Sequence, residues 1–270
     1  MGITIRRHLR SDAVNTLHTT VDPFAFSIGT RVRDDIFLRM LQPQPGDRII
    51  DVGCGLGHFT HLLAQTASCT GVDVDTKCLA YCRKHLDGNY METDIRSLPF
   101  PPQSFNKALC SEVLEHIEDN GAVLDEIGRV LITGGMLVAS VPCSGGMFGG
   151  WMKNIGHSHV DGNSLEYHHH KGFTLQQLTR LLEKHGYTVI QHDYTMVMLV
   201  EIIMMATKLV VHGLTRKRIS SQSDALQFTS KGYWKLYRLL FPLLVLIGSV
   251  EQPLSRFLKG HMVIVKAVKE

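Results

Sequence analysis

The feature that most constrains this chain is the run Ile49–Gly57, IIDVGCGLG. An apolar run closed by glycines at alternate positions, Gly53, Gly55 and Gly57, predicts a buried strand that turns tightly into a helix. Glycine allows close approach to a ligand, and the start of a helix offers free amide donors. The spacing differs from the G-x-G-x-x-G of dinucleotide-binding turns, and no phosphate-loop lysine follows. The loop indicates a nucleotide-type site, with a tight turn that binds nothing as the alternative.

Two aspartates follow at the ends of the next predicted strands. Asp73 lies in the run GVDVD, and Asp94 closes the apolar segment that starts at residue 89. A carboxylate at the tip of the second strand is well placed to accept hydrogen bonds from two ribose hydroxyls. Taken singly, either aspartate could instead cap a helix or stabilise a turn.

Apolar runs alternate with helical patterns along most of the chain. The runs lie near residues 47–52, 69–74, 89–94, 106–112, 134–141, 188–195 and 261–269. This alternation predicts an α/β fold with a Rossmann-like, doubly wound, seven-stranded and mostly parallel sheet. Ligands of such sheets bind outside the carboxyl ends of the strands, where the glycine loop and both aspartates fall.

Five ordered blocks of sequence carry a family resemblance. They are residues 51–57 (DVGCGLG), 71–75 (GVDVD), 93–100 (TDIRSLPF), 110–116 (CSEVLEH) and 129–142 (RVLITGGMLVASVP). The chain resembles a class I S-adenosylmethionine-dependent methyltransferase of type 11, over residues 35–195, with some similarity to ubiquinone-pathway O-methyltransferases. One departure is Asn106, where the family usually has aspartate. Asn106 is expected to matter little because it starts a strand away from the methyl group.

The resemblance implies S-adenosylmethionine as the cofactor. It places the glycine loop against the amino-acid part of the cofactor, Asp73 on the ribose and Asp94 on the adenine amino group. The expected cofactor contacts are Asp51, Gly53, Gly55, Gly57, Asp73, Asp94, Ile95, Ser111 and Glu112.

Glu112, Glu115 and His116 follow the fourth predicted strand, and they share one face if this segment enters a helix. With a histidine of residues 168–170, such a set could hold a divalent metal. The E-x-x-E-H string is similar to that of metal-using ubiquinone-pathway and small-RNA methyltransferases, although many relatives with it use no metal. We therefore predict no metal site, and a role for residues 112–115 in the cofactor loop and in capping the helix.

Histidines are concentrated between residues 144 and 172, in a segment that also contains several glycines. A glycine-hinged loop after the fifth strand is a reasonable substrate cover. Because histidine titrates near neutral pH, one of them could remove a proton from a hydroxyl as the methyl group moves. The candidate catalytic residues are His168, His169, His170 and His116. Hydrogen bonding within the loop is the alternative role.

Residues 196–259 separate the last two predicted strands, where the family has a short hairpin. Within them, Leu239–Val250 carries no charge but is twelve residues long, against roughly 20 needed to cross a bilayer. Cations and aromatic residues precede it, as in helices that lie in a membrane interface; they are Lys231, Tyr233, Trp234, Lys235, Tyr237 and Arg238. The sequence predicts membrane contact, with Leu240 and Leu244 on the contacting side. A helical lid or a dimer surface is the alternative.

These patterns divide the 270 residues into a helical N-terminal cover (1–45), a methyltransferase domain (46–195 and 260–270) and an apolar helical insertion (196–259). A net charge of +3 is too small to indicate nucleic acid. Six cysteines without C-x-x-C pairs, and no signal-peptide pattern, favour a cytoplasmic protein. We expect methyl transfer to a lipophilic small molecule, such as a quinone, isoprenoid, lipid or hydrophobic metabolite, near a membrane. The alternatives are a nucleic-acid or polar-metabolite methyltransferase, or a non-catalytic cofactor-binding interaction protein.

Overall fold

The computed structural model describes residues 28–144, 170, 172–195, 202, 232–252, 260 and 262–270. The strands are β1 Arg48–Val52, β2 Ser68–Asp73, β3 Asn89–Glu92, β4 Phe105–Ser111, β5 Leu131–Pro142, β6 Tyr187–Thr195 and β7 Met262–Lys269. The helices are α1 Ile28–Leu41, α2 His58–Ala64, α3 Thr76–His85, α4 Asn120–Val130, α5 Leu175–Lys184 and α6 Gly232–Glu251, with one 3₁₀ turn at Leu114–His116.

All the described strands form one sheet of seven, in the order β3-β2-β1-β4-β5-β7-β6. The first five strands pair in parallel, whereas β7 runs antiparallel to both β5 and β6. The chain builds outward from β1 to β3 and then returns to β4, so the order reverses between β1 and β4. This confirms the Rossmann-like, doubly wound fold, and it identifies the carboxyl ends of β1 and β4 as the place where a ligand binds.

Alternate residues of the central strands enter two separate apolar layers, as the period of two in a strand requires. Ile50 and Ala108 face α4 and α5, whereas Ile49 and Leu109 face α1 and α2. Each face of the sheet is therefore covered by helices, which explains why the central strands are apolar on both sides.

Helix α6 lies against α1, in the apolar layer that also contains Ile49 and Leu109. Leu244 is buried there, with Phe241 and Ile247 partly buried beside it, next to Val32 and Ile36 of α1. The expectation that Leu244 contacts a membrane is therefore wrong. A uniformly apolar segment does not indicate which side a neighbouring helix will cover.

Helices α1 and α6 fall inside the predicted N-terminal cover and the predicted insertion, respectively. The rest of both segments lies outside the described residues, so the division into domains stays a prediction. Among the described helices, none is both long and apolar enough to cross a membrane.

Candidate active site

The loop after β1 requires glycine for both its backbone torsions and its packing. Gly53, Gly55 and Gly57 have φ angles of 73°, 50° and 75°, in the left-handed region that other residues rarely adopt. A Cβ added to Gly53 would lie 2.3 Å from the Cγ2 atom of Val113. The loop is therefore a tight connection packed against the segment that follows β4.

The backbone amides of this loop are largely engaged within the protein. The Gly53 and Cys54 amides donate to the Val72 carbonyl at 2.8 and 3.0 Å, and the Gly57 amide donates to Cys54 at 2.8 Å. The Gly55 amide donates to the Asp73 carboxylate, also at 2.8 Å. The general expectation of free amide donors is thus wrong for these four positions. The contacts instead fix the shape of the loop against the end of β2.

Asp73 ends β2 beside the glycine loop. Its Oδ2 accepts from the Gly55 amide at 2.8 Å, and its Oδ1 accepts from the Asp75 amide at 2.9 Å. A carboxylate oxygen can accept two hydrogen bonds, so each oxygen keeps capacity for a ribose hydroxyl. Asp75 has a different task, because its side chain caps α3 by accepting from the amides of Lys77 and Cys78.

Asp94 follows β3 at the same edge of the sheet. The Arg96 guanidinium donates to both of its oxygens, with the shortest contact at 2.7 Å, and the Arg96 amide donates to Oδ1 as well. These bonds hold the pKa of the Asp94 carboxyl below its usual range, so this exposed carboxylate stays ionised. The adjacent Ile95 is buried and provides an apolar contact next to it.

Asp51 lies beneath the glycine loop. Its side chain is buried and accepts a hydrogen bond from the Thr60 hydroxyl at 2.7 Å. Burial raises the pKa of Asp51 to about 6, helped by the nearby charge of Asp73 and opposed by the Thr60 hydrogen bond. The carboxylate therefore joins β1 to α2, a position suited to supporting the loop.

The segment after β4 forms the opposite wall of the site. The Ser111 hydroxyl lies 3.0 Å from that of Ser140, and the Glu112 amide donates to the Ser140 carbonyl at 2.9 Å. Glu112 has a φ angle of 56°, which is unusual for a residue other than glycine. Its side chain pairs with the guanidinium of Arg33 from α1.

Arg33 is the residue that sequence reasoning missed. Its side chain is only 12% exposed, and its guanidinium carbon lies 5.8 Å above the ring of Phe59, just after the glycine loop. Its Nε is buried without a hydrogen-bond partner among the described residues. The available signal was a cation between the apolar positions Val32 and Ile36 of an amphipathic helix.

Glu112, Glu115 and His116 do not share one helical face, because the segment does not enter an α-helix at Glu112. The left-handed backbone of Glu112 turns the chain into a 3₁₀ helix, so Glu112 stays exposed while Glu115 is buried. Burial raises the pKa of Glu115 to about 8. In the part of the chain that the structure describes, no group of three or more His, Cys, Asp or Glu side chains is arranged to hold a metal ion.

Of the candidate histidines, His170 is brought into this wall. Its backbone amide donates to the Glu115 carbonyl at 3.0 Å, and its ring lies 5.4 Å from that of Phe173. His116 is half-buried in the 3₁₀ turn, next to Glu115 in sequence. His168 and His169 lie outside the described residues.

Buried polar atoms without a described partner occur along this edge of the sheet. They are Arg33 Nε, Glu115 Oε2, His170 Nε2 and Thr195 Oγ1. Thr195 ends β6 opposite Met262, whose sulfur lies 3.6 Å from the Arg33 guanidinium. Buried polar groups are nearly always hydrogen-bonded, so such atoms indicate a place for a polar ligand or water. They extend the site from the glycine loop across β4 and β5 to β6.

Comparison with known proteins agrees with this geometry. Residues 50–139 match the model of a methyltransferase domain. Over these residues the chain is similar to methyltransferase domains. Over 108 residues, the chain is 34% identical to the ubiquinone biosynthesis O-methyltransferase of Paracidovorax citrulli, and the matched stretch covers 37% of this chain and 45% of that one. The chain spans about half the length of the curated relatives it matches.

Solved methyltransferase structures share the fold. An S-adenosylmethionine-dependent methyltransferase from Mesorhizobium loti aligns with a TM-score of 0.53 and 20% identity, covering 88% of this chain and 98% of that one. Phosphoethanolamine N-methyltransferase 2 from Haemonchus contortus, solved with S-adenosyl-L-methionine, aligns with a TM-score of 0.58 and 18% identity, over 93% of this chain and 58% of that one. At these identities the likeness shows the fold alone.

Proposed function

We propose that this chain transfers the methyl group of S-adenosylmethionine to a lipophilic small molecule at the cytoplasmic face of a membrane. The acceptor classes are a quinone or another isoprenoid, a lipid, or a hydrophobic metabolite. The observation that carries the proposal is an exposed apolar stripe on α6, the helix that packs directly on α1 beside the site. The ubiquinone biosynthesis O-methyltransferases among the relatives support an oxygen acceptor on a lipophilic body.

The described side chains fit the cofactor. When bound, S-adenosylmethionine would supply an electrophilic methyl group for transfer to the acceptor, with the neutral thioether as the leaving group. Asp73 holds the ribose hydroxyls, and the ionised Asp94 accepts from the adenine amino group. Arg33 pairs with the carboxylate of the methionine part, which gives its buried guanidinium a charged partner in addition to Glu112. The glycine loop lets that part of the cofactor approach the backbone closely.

The segment after β4 contacts the methyl acceptor in this proposal. His170 takes the proton that the acceptor hydroxyl loses, because its Nε2 is buried without a described partner and a neutral imidazole nitrogen can accept a proton. Glu115 carries a proton at neutral pH, since its pKa is raised to about 8, and it can therefore donate a hydrogen bond to the acceptor. His116, His168 and His169 remain alternative bases.

The membrane contact is assigned to α6. Leu243, Leu246 and Val250 are 55%, 59% and 70% exposed, and their spacing puts them on one side of the helix. Leu244 on the other side is buried against α1. Lys235, three helical turns before Leu246 in sequence, adds a cation to the same helix, as a helix lying in a membrane interface requires.

Flotation with vesicles that contain anionic lipid tests this assignment. The wild-type chain should float, whereas the triple variant Leu243→Glu, Leu246→Glu and Val250→Glu should stay in the dense fraction with unchanged cofactor affinity. Ile190→Glu is the matched control, because Ile190 is also 55% exposed but lies on β6. Flotation of the triple variant, or release of the control, would contradict membrane contact through α6.

A further inference from the structure

A buried polar pair joins α1 to the end of the glycine loop. His58 is the first residue of α2, directly after Gly57, and its Nε2 lies 2.7 Å from Oδ1 of Asp34 on α1. The two side chains are 6% and 9% exposed. Burying polar groups costs free energy, and an apolar pair of similar size packs at least as well. The pair therefore calls for a role beyond packing.

Two more contacts fix α1 at the same point. The Phe37 and Phe59 rings pack with centroids 4.7 Å apart, and the Arg33 guanidinium lies above the same Phe59 ring. Arg33 and Asp34 are thus neighbours on α1, and they contact the neighbours Phe59 and His58 on α2. The hydrogen bond between Asp34 and His58 is directional, whereas the ring contacts tolerate some rotation, so this bond adds to the apolar packing of α1 in fixing the rotation of the helix about its axis.

The rotation of α1 about its axis determines the position of the Arg33 side chain. Arg33 reaches from α1 to Glu112 after β4 and to Met262 at the start of β7. A rotation of α1 by a few degrees moves the end of a long side chain by more than it moves the helix backbone. The guanidinium would then lose its place at the mouth of the glycine loop, although the apolar contacts of α1 persisted.

We propose that Asp34 and His58 are positioning residues for the cofactor. Their hydrogen bond holds α1 against the glycine loop, so that Arg33 meets the carboxylate of the methionine part of S-adenosylmethionine. The inference rests on the proposed function, in which Arg33 pairs with that carboxylate. Neither positioning residue touches the cofactor itself.

Cofactor affinity measured by calorimetry, alongside the melting temperature, tests the pair. His58→Leu keeps the volume but removes the hydrogen bond, and it should raise the Kd for S-adenosylmethionine about tenfold. His58→Gln places an amide donor near the lost Nε2 and should restore most of the affinity. Asp34→Ala should weaken binding as His58→Leu does, but it should add little when Arg33 is already alanine, because it acts through Arg33.

Asp47→Ala is the matched control. Asp47 and Lys107 form a comparable pair at 2.6 Å with 11% and 12% exposure, at the amino ends of β1 and β4. This control should lower the melting temperature and leave the Kd unchanged. An unchanged Kd in folded His58→Leu, or a full Asp34→Ala effect in the Arg33→Ala background, would overturn the positioning role alone. Failure of the wild-type chain to bind S-adenosylmethionine would overturn the proposed function and the inference with it.

Discussion

At the residue scale, Asp73 accepts backbone hydrogen bonds through both of its oxygens and still lies at the free end of β2. Asp73→Ala should weaken S-adenosylmethionine binding by about 1–3 kcal/mol, because a charged acceptor for the ribose hydroxyls is lost. Calorimetric titration measures this directly. Asp75→Ala is the control: it removes the cap of α3, which costs about 1 kcal/mol of stability, but it should leave the affinity unchanged. Equal losses of affinity in the two variants would contradict the ribose assignment.

The buried carboxyl of Glu115 predicts a pH dependence of stability. Its pKa is raised from 4.5 to about 8, so the folded state binds more protons than the unfolded state between these values. The free energy of unfolding should therefore fall as the pH rises from 4.5 to 8. Glu115→Gln resembles the protonated form of Glu115 at every pH. Above pH 6, where Asp51 has already ionised, the free energy of unfolding of this variant should therefore fall less steeply than that of the wild type.

Urea unfolding of the wild type and of Glu115→Gln, measured across this pH range, gives the free energies of unfolding to compare. The two chains should differ most at the alkaline end, with the variant the more stable. A wild-type stability that rises with pH, or an identical slope in the variant, would show that Glu115 does not keep its proton in the folded state.

Some site residues could be predicted from the sequence because the ends of the strands could be predicted. Asp73 and Asp94 follow apolar runs, and the parallel sheet brings both to one edge. Arg33 and His58 could not be predicted in the same way, since their contacts depend on how α1 docks on α2. A shared face of Glu112, Glu115 and His116 depended on a helix that starts at Glu112, and the left-handed backbone there prevents such a helix.

At the element scale, the two sides of α6 should respond differently to substitution. Leu244 is buried between α6 and α1, so Leu244→Ala should lower the free energy of unfolding by about 2–4 kcal/mol. Leu243 is exposed, and Leu243→Ala should change it by no more than about 0.5 kcal/mol. Chemical denaturation of both variants measures the difference. Similar losses at both positions would mean that α6 is packed on both sides.

The strands were predictable as elements, whereas the orientation of α6 was not. Short apolar runs separated by helical patterns identify each strand, and the observed bounds differ from the predicted ones by a few residues. Between residues 239 and 250 of α6 nearly every position is apolar, so no periodicity distinguishes the side that packs on α1. Only the docked helix separates buried Leu244 from exposed Leu243 and Leu246.

At the scale of the whole molecule, the strand order sets the position of the proposed cofactor site, and α1 lies next to both this site and α6. The strand order reverses between β1 and β4, which opens the site at the glycine loop. Helix α1 reaches this site with Arg33 and packs against α6. Among the described helices, α1 therefore connects α6 to the site.

The most direct test of this account is transfer of a radiolabelled methyl group from S-adenosylmethionine into an organic extract of the source cells. The purified chain should label a compound that partitions into the solvent, and Asp73→Ala should label it far more weakly at limiting cofactor. Label confined to the aqueous or macromolecular fraction, or cofactor binding without any labelled product, would contradict methyl transfer to a lipophilic small molecule.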